Sequence, residues 1–286
     1  SPARIRRWPC ASVVLTRGCP NRCTFCDRSV FGHLCRSYSP EYAVELVKDL
    51  AENYGVKEIL IEDDTFIISR QRVEQFCKLI IEKDLDLTWS CLGRADRVDI
   101  ELLRLMRRAG CWHISYGIES GDENILRSVN KNLDLEQIKN AVSMTRSAGL
   151  KSKGFFMIGF PGETAATLAA TRELACSLPL DDITVMHLTP FPGSKIYETA
   201  AAHGAFDANW RKMNTLNTVF VPDGFNKKSL NSEGRKMLRA FYLRPFFLIR
   251  KFFSAIRRPS VLKNNLKAGI TLIRTTGLRK QENGSN

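Results

Sequence analysis

Long apolar runs are missing from this 286-residue chain. No stretch of about 18 apolar residues occurs, so no membrane-spanning helix is expected. Ser1 to Cys10 is short and basic and lacks the apolar stretch of a secretory leader. Histidine is scarce, with only His33, His113, His187 and His203. Nine cysteines form no even, disulfide-like framework, which argues against a secreted disulfide scaffold and points to a reducing, cytoplasmic compartment. Acidic side chains nearly vanish after residue 225: residues 226–286 hold 15 Lys/Arg against 2 Glu. The first 225 residues are balanced, 28 basic against 28 acidic, so the net charge of +13 belongs to the tail. An apolar share of 44% is enough for one sizeable core.

Among what is present, one run stands out. Cys19, Cys23 and Cys26 form a C-x3-C-x2-C pattern just after Ser12–Thr16, which is apolar and β-branched. That stretch reads as a buried strand broken by Arg17-Gly18, so the cysteines fall on a loop. Three donors on one short loop gather around an inorganic centre at small loop-closure cost. The run supplies three thiolates, whereas structural zinc and ferredoxin-type clusters use four ligands. Three thiolates on a cubane iron–sulfur cluster leave one iron open to a chelating small molecule. Zinc is a second reading, with His33 or Cys35 as the local fourth ligand. Three unrelated buried thiols is the plainest reading. Cys10, Cys35, Cys77, Cys91, Cys111 and Cys176 read as small buried hydrophobes. Of these, Cys91 and Cys111 lie near predicted strands and could face a barrel interior.

Strands alternate with amphipathic helices through the first 200 residues. Strands are predicted near 12–17, 57–62, 87–91, 112–119, 151–159 and 182–189, with starts about 34 residues apart, the size of a strand–helix unit in a parallel sheet. A full barrel has eight such units, so six predict an α/β fold, a partial (β/α)6 parallel barrel. Ser39 before Pro40, Ser69 and Asp99 are candidate helix N-caps, and Gly110 a helix stop. Ser120 and Glu123 have capping-box spacing. In parallel barrels, chemistry gathers at the carboxyl ends of the strands. The cysteine loop, Asp63-Asp64, Arg94, Glu119, Gly159–Glu163 and Thr189–Gly193 all fall there. Each has an ordinary alternative: Arg94 could pair with Asp96, Ser120 could start a helix, and Glu163 could favour a helix N-terminus.

Thr16-Arg-Gly-Cys-Pro-Asn-Arg-Cys-Thr-Phe-Cys26 resembles the cluster loop of the radical S-adenosylmethionine (radical SAM) superfamily, with Phe25 as the aromatic before the third cysteine. The resemblance runs from about Val13 to Tyr197. Ile61-Glu-Asp-Asp-Thr-Phe66 takes the place of the family's Gly-Gly-Glu segment. Ile114–Gly121, Gly154–Glu163 and Thr189–Gly193 resemble the later SAM-contact segments. The resemblance implies a 4Fe-4S cluster on Cys19, Cys23 and Cys26. It implies SAM contacts from Phe25, Asp63, Asp64, Thr65, Arg94, Glu119, Ser120, Gly159 and Thr189, and assigns no catalytic side chain. It further implies oxygen-sensitive chemistry, in which reductive cleavage of SAM yields a 5′-deoxyadenosyl radical that takes hydrogen from a substrate. An electron donor of flavodoxin or ferredoxin type is expected. The Asp-Asp-Thr-Phe form looks like the branch whose members carry an N-terminal cobalamin-binding domain. No Asp-x-His-x-x-Gly cobalamin pattern occurs here, so cobalamin is expected only with a further domain upstream. Methyl transfer or ring rearrangement on a small or lipid-like metabolite is then the expected outcome. The competing function is a non-catalytic iron–sulfur or zinc module for interaction or electron transfer.

Three segments result: a lead-in over 1–11, the core over 12–225, and a basic, mainly helical C-terminal extension over 226–286. Within the extension, Phe241–Ile256 is amphipathic, with Arg250, Lys251, Arg257 and Arg258 on one side and Phe246, Ile249, Phe252 and Phe253 on the other. Docking on the barrel or on an upstream domain is one expectation. An anionic membrane surface, as for a protein peripheral to the inner face of the membrane, is another. Nucleic acid is the least favoured partner.

Overall fold

The computed structural model describes residues 5–245 and 247–249. Six parallel strands form one sheet in chain order: β1 (Cys10–Val13), β4 (Glu58–Ile61), β5 (Thr88–Gly93), β6 (Cys111–Glu119), β7 (Lys151–Ile158) and β8 (Asp182–His187). The sheet is open, with β1 and β8 as its edges. This is the partial α/β barrel that six strand–helix units imply. The first strand starts two residues earlier than expected and is shorter. Thr16–Arg17 (β2) leaves the sheet to pair antiparallel with Arg36–Ser37 (β3), forming a hairpin that holds the loop between them.

Local chemistry sets the helix starts. α1 (Pro40–Tyr54) has Pro at its first turn, and Ser39 accepts from the Tyr42 N–H. α2 (Arg70–Glu82) is capped by Ser69 and α3 (Ile100–Arg108) by Asp99. Gly110, at φ +91°, turns the chain from α3 into β6. α4 (Glu123–Ser128) corrects the expected capping box: Asp122, not Ser120, accepts from the N–H groups of Asn124 and Ile125. α5 (Leu135–Ser147) and α6 (Ala165–Ser177) carry capping boxes headed by Asp134 and Thr164. α7 (Lys195–Thr199) follows β8, and a small hairpin of β9 (Gly204–Phe206) and β10 (Phe220–Pro222) precedes α8 (Lys227–Tyr242).

The core lies between the sheet and its helices. Phe66, Phe76 and Trp89 meet edge to face at 5.6–5.7 Å, pairings worth about 0.5–1.5 kcal/mol each beyond the area they bury. The Tyr116 hydroxyl is buried at 2.7 Å from Thr145 Oγ1 on α5. Cys91 and Cys111 face this helix layer, not the barrel interior. The ladder between β5 and β6 slips at Trp112, so Trp89 pairs with Cys111 and Ser90 with His113. That slip changes the face which alternation alone would assign. Burial pushes the Cys91 thiol up, and Cys111 and Cys77 of α2 are its neighbours.

Buried Glu58 ties the lead-in to the sheet. One carboxyl oxygen accepts from the N–H groups of Arg6 (2.8 Å) and Arg7 (2.7 Å) and from Thr88 Oγ1 (3.1 Å). The other accepts from Trp112 Nε1 at 3.0 Å. α8 packs on β8, where Tyr242 Oη donates to Asp182 Oδ1 and its Met237 and Phe241 join the main core. Phe247 packs against Phe241 and Tyr242 with ring centres 5.5 and 5.3 Å apart. The basic stretch from residue 250 onward, with most of the expected amphipathic face, lies outside the described residues. Among those described, no helix is long and apolar enough to cross a membrane.

Candidate functional site

The cysteine loop begins at the carboxyl end of β1 and is anchored by two neighbouring carboxylates beyond β4. Asp63 Oδ1 accepts from the Leu15 N–H at 2.6 Å, and Asp64 Oδ2 from the Gly18 N–H at 2.8 Å. Gly18 is required there. Its φ is +84°, and a Cβ would stand 2.3 Å from Leu34 O. Two backbone bonds then fix the loop's middle: Thr24 N–H donates to Val129 O, and Ile196 N–H to Thr24 O, both at 3.0 Å. The segment after β8 closes the third side. At Gly193, φ +87°, a Cβ would lie 2.3 Å from Asp27 Oδ1. One loop is thus held by the ends of β4 and α4 and the start of α7.

The three thiols differ in setting. Cys23 is buried, Cys19 half-buried and Cys26 exposed. Asn21 Nδ2 lies 3.1 Å from Cys19 Sγ. Cys23 is pushed down to about 6, first because the Cys26 thiol donates to it and then because of the cations Lys131 and Arg94; burial and Glu119 oppose. The Cys26 thiol moves up as the donor of the pair. Among the described residues no three His, Cys, Asp or Glu side chains gather to hold a single metal ion. The donor set is three soft sulfurs on one loop beside two cations that favour thiolate. That suits an iron–sulfur centre, whose thiolate ligands concentrate negative charge.

The expected site residues divide into two groups. One group converges near the loop. The Phe25 ring lies 5.8 Å from that of Phe160, just after β7. Glu119, at the end of β6, is buried and bonds Lys131 Nζ at 2.8 Å. Its φ of +68° is rare for a residue with a side chain. Arg94, after β5, pairs with Asp96 at 2.9 Å and donates to Lys131 O at 3.0 Å. Gly159, φ +94°, ends β7, and its N–H donates to Glu163 Oε2.

The second group lies against the frame. Asp63 and Asp64 serve the loop backbone, and buried Asp63 Oδ2 has no hydrogen-bond partner among the described residues. Burial pushes the Asp63 carboxyl up. Ser120 is fully buried, 3.2 Å from Thr171 Oγ1 of α6, and accepts from Asp122 N–H. Thr189 Oγ1 donates to Asn214 O at 3.1 Å. Thr65 is buried and leads into a short 3-10 turn at Phe66–Ile68.

Sequence reasoning missed Lys131, Arg72 and the depth of Glu163. Arg72 of α2 donates to Leu15 O (3.2 Å) and Tyr38 O (3.0 Å), bracing both flanks of the loop. Lys131 had one legible signal: it lies between Asn130 and Asn132, and Asn is the residue that best tolerates a left-handed turn after Gly.

Known proteins resemble this chain in sequence and in fold. The family model described as Radical SAM superfamily matches residues 13–175. An uncharacterized methyltransferase of Pyrococcus horikoshii is 34% identical over 247 residues, 86% of this chain and 54% of the relative. An anaerobic magnesium-protoporphyrin IX monomethyl ester cyclase of Rubrivivax gelatinosus is 29% identical over 88% of this chain and 46% of the relative. The chain thus spans about half the length of these curated relatives. Among solved structures, the radical S-adenosylmethionine methyltransferase TsrM of Kitasatospora setae, with cobalamin and a [4Fe-4S] cluster bound, shares the fold. The TM-score is 0.59 at 20% identity, over 69% of this chain and 38% of that one.

Proposed function

The chain belongs to the radical SAM superfamily, and from that premise we propose that it is the catalytic core of a radical SAM enzyme acting on a small molecule by methyl transfer or ring formation. The family uses a 4Fe-4S cluster and SAM. Cys19, Cys23 and Cys26 would hold the cluster, which when bound supplies the electron that reductive cleavage of SAM requires. The observation that carries the reading is the cysteine loop itself. Its three thiols sit at the carboxyl end of β1, beside the buried cation Lys131, with Glu119 and Gly159 at neighbouring strand ends. Glu119 has left-handed backbone, the kind of local strain that collects at functional sites, and Gly159 takes the same region freely because it has no Cβ.

The chain's residues then have distinct tasks. Asp63, Asp64 and Arg72 hold the loop. Phe25 and Phe160 wall the site with apolar surface that excludes water. Glu119 and the backbone of Gly159 line the side where SAM would lie. Methyl transfer or cyclisation follows the named activities of the relatives, and cobalamin would enter only with a further domain. The electron donor is a low-potential flavodoxin- or ferredoxin-type protein, in keeping with a cytoplasmic setting for nine free cysteines.

The test is anaerobic reconstitution of the chain with iron and sulfide, followed by SAM and dithionite. The expected product is 5′-deoxyadenosine, abolished by Cys23→Ala. Zinc bound with no cluster formed would overturn the reading.

A further inference from the structure

Lys131 is a buried cation in a backbone shaped to point it inward. Its side chain is 8% exposed, and Nζ lies 2.8 Å from Glu119 Oε1. Asn130 and Asn132, on either side, take φ of +52° and +49°. The Lys131 N–H donates to Leu126 O at 2.9 Å, and its carbonyl accepts from Arg94 at 3.0 Å. Gly117 leaves the room this needs: a Cβ there would stand 2.5 Å from Glu119 Oε1 and 2.9 Å from Lys131 Nζ. Four residues with unusual backbone or no side chain thus serve one ion pair. Strain of this kind persists only where the surroundings impose it.

The same turn touches the cysteine loop. Val129, two residues before Lys131, accepts from Thr24 N–H. Lys131 Nζ lies 5.8 Å from the centre of the Phe25 ring, and Thr24 and Phe25 are the residues between Cys23 and Cys26. The ammonium field therefore reaches the thiols. The ion pair is neutral as a whole, but its ammonium is the end that lies over the Phe25 ring, between Cys23 and Cys26 in the chain.

We propose that Lys131 is an electrostatic positioning residue of the cysteine loop: its ammonium, held in place by Glu119, offsets the negative charge of the three-thiolate centre and raises that centre's reduction potential. This rests on the reading of Cys19, Cys23 and Cys26 as cluster ligands. The couple concerned takes one electron from a low-potential donor, adds one negative charge and makes or breaks no bond. A fixed buried cation stabilises the reduced, more negative member.

The test is a potentiometric titration of the full chain after anaerobic loading with iron and sulfide, followed by electron paramagnetic resonance, with no SAM present. Lys131→Met is expected to make reduction at least tenfold less favourable, about 59 mV for a one-electron couple. Lys131→Arg is expected to stay close to the parent, and Glu119→Gln to move the potential upward. A structural strut would alter cluster yield but produce no ordering by charge. Equal potentials in all variants that retain parental iron and sulfide content would overturn the proposal. Should Lys131→Met fail to hold a cluster, Glu119→Gln decides: an upward shift supports the proposal and no shift overturns it. A parent chain that assembles no cluster would overturn both this inference and the site reading beneath it.

Discussion

Replacing Glu163 with Gln should change how stability depends on pH. Glu163 is 3% exposed, and its Oε2 accepts from the N–H groups of Gly159 and Phe160, while Oε1 has no hydrogen-bond partner among the described residues. Burial pushes its pKa up to about 8; the two N–H groups only partly oppose this, and Asp122 adds to it. Between the ordinary carboxylate range and that value, the folded chain keeps a proton that the unfolded chain has released. Folding stability therefore falls as pH rises through this window, and the loss is complete above it. At 1.36 kcal/mol per pKa unit the ceiling is about 5 kcal/mol. Buried groups left unpaired cost about 1–3 kcal/mol in mutational series, so about 2–3 kcal/mol is expected. Gln keeps an oxygen for Gly159 and Phe160 and does not titrate. Urea unfolding of cluster-free protein, under anaerobic reducing conditions from pH 5 to 9, reads the effect. The difference, Glu163→Gln minus parent, should grow by about 2–3 kcal/mol in the mutant's favour across that range. The cysteines titrate alike in both proteins and cancel. Parallel profiles would refute the reasoning.

Three further outcomes are expected. Gly121→Ala would place a Cβ 2.6 Å from Ala170 O and Thr171 Cα, and should cost about 1–3 kcal/mol by overpacking, read as a lower urea midpoint. Ser120→Ala should lower stability by about 1 kcal/mol through the lost Thr171 contact; equilibrium dialysis should find SAM affinity in the loaded protein unchanged within about twofold, because that hydroxyl faces α6. Glu58→Ala removes the acceptor for two backbone N–H groups, a Trp indole and a Thr hydroxyl, and should cost about 3–4 kcal/mol. Trypsin should then cut faster at Arg6 and Arg7 in limited proteolysis, since the lead-in would lose its buried anchor and leave Arg7 to its exposed pair with Asp86.

Much of the architecture was legible because it is local. The helix caps Ser39, Ser69 and Asp99 act within three residues of themselves, so sequence proximity reveals them. Strand–helix alternation at about 34 residues implied six parallel strands, and adjacent parallel pairing then follows from right-handed crossovers. The cysteine loop was legible for the same reason: its donors span eight consecutive residues, and no folding is needed to bring them near one another.

The rest depended on contacts between distant residues. Asp63 and Asp64 meet the loop backbone across 48 and 46 residues, so their placement at a strand end was readable and the direction of their side chains was not. One ladder slip at Trp112 decided which face Cys111 occupies, and period-two alternation cannot register a slip that exists only relative to a neighbouring strand. Glu119 and Lys131, 12 residues apart, became a pair because a bulge at the end of β6, left-handed backbone at three positions and the bare Cα of Gly117 turn them toward each other. Spacing picked out the three cysteines and the strand ends as candidates, and the family resemblance proposed what they bind. The charge those donors feel, and which neighbouring side chains serve the site and which serve the frame, emerged only when burial and long-range packing set their distances.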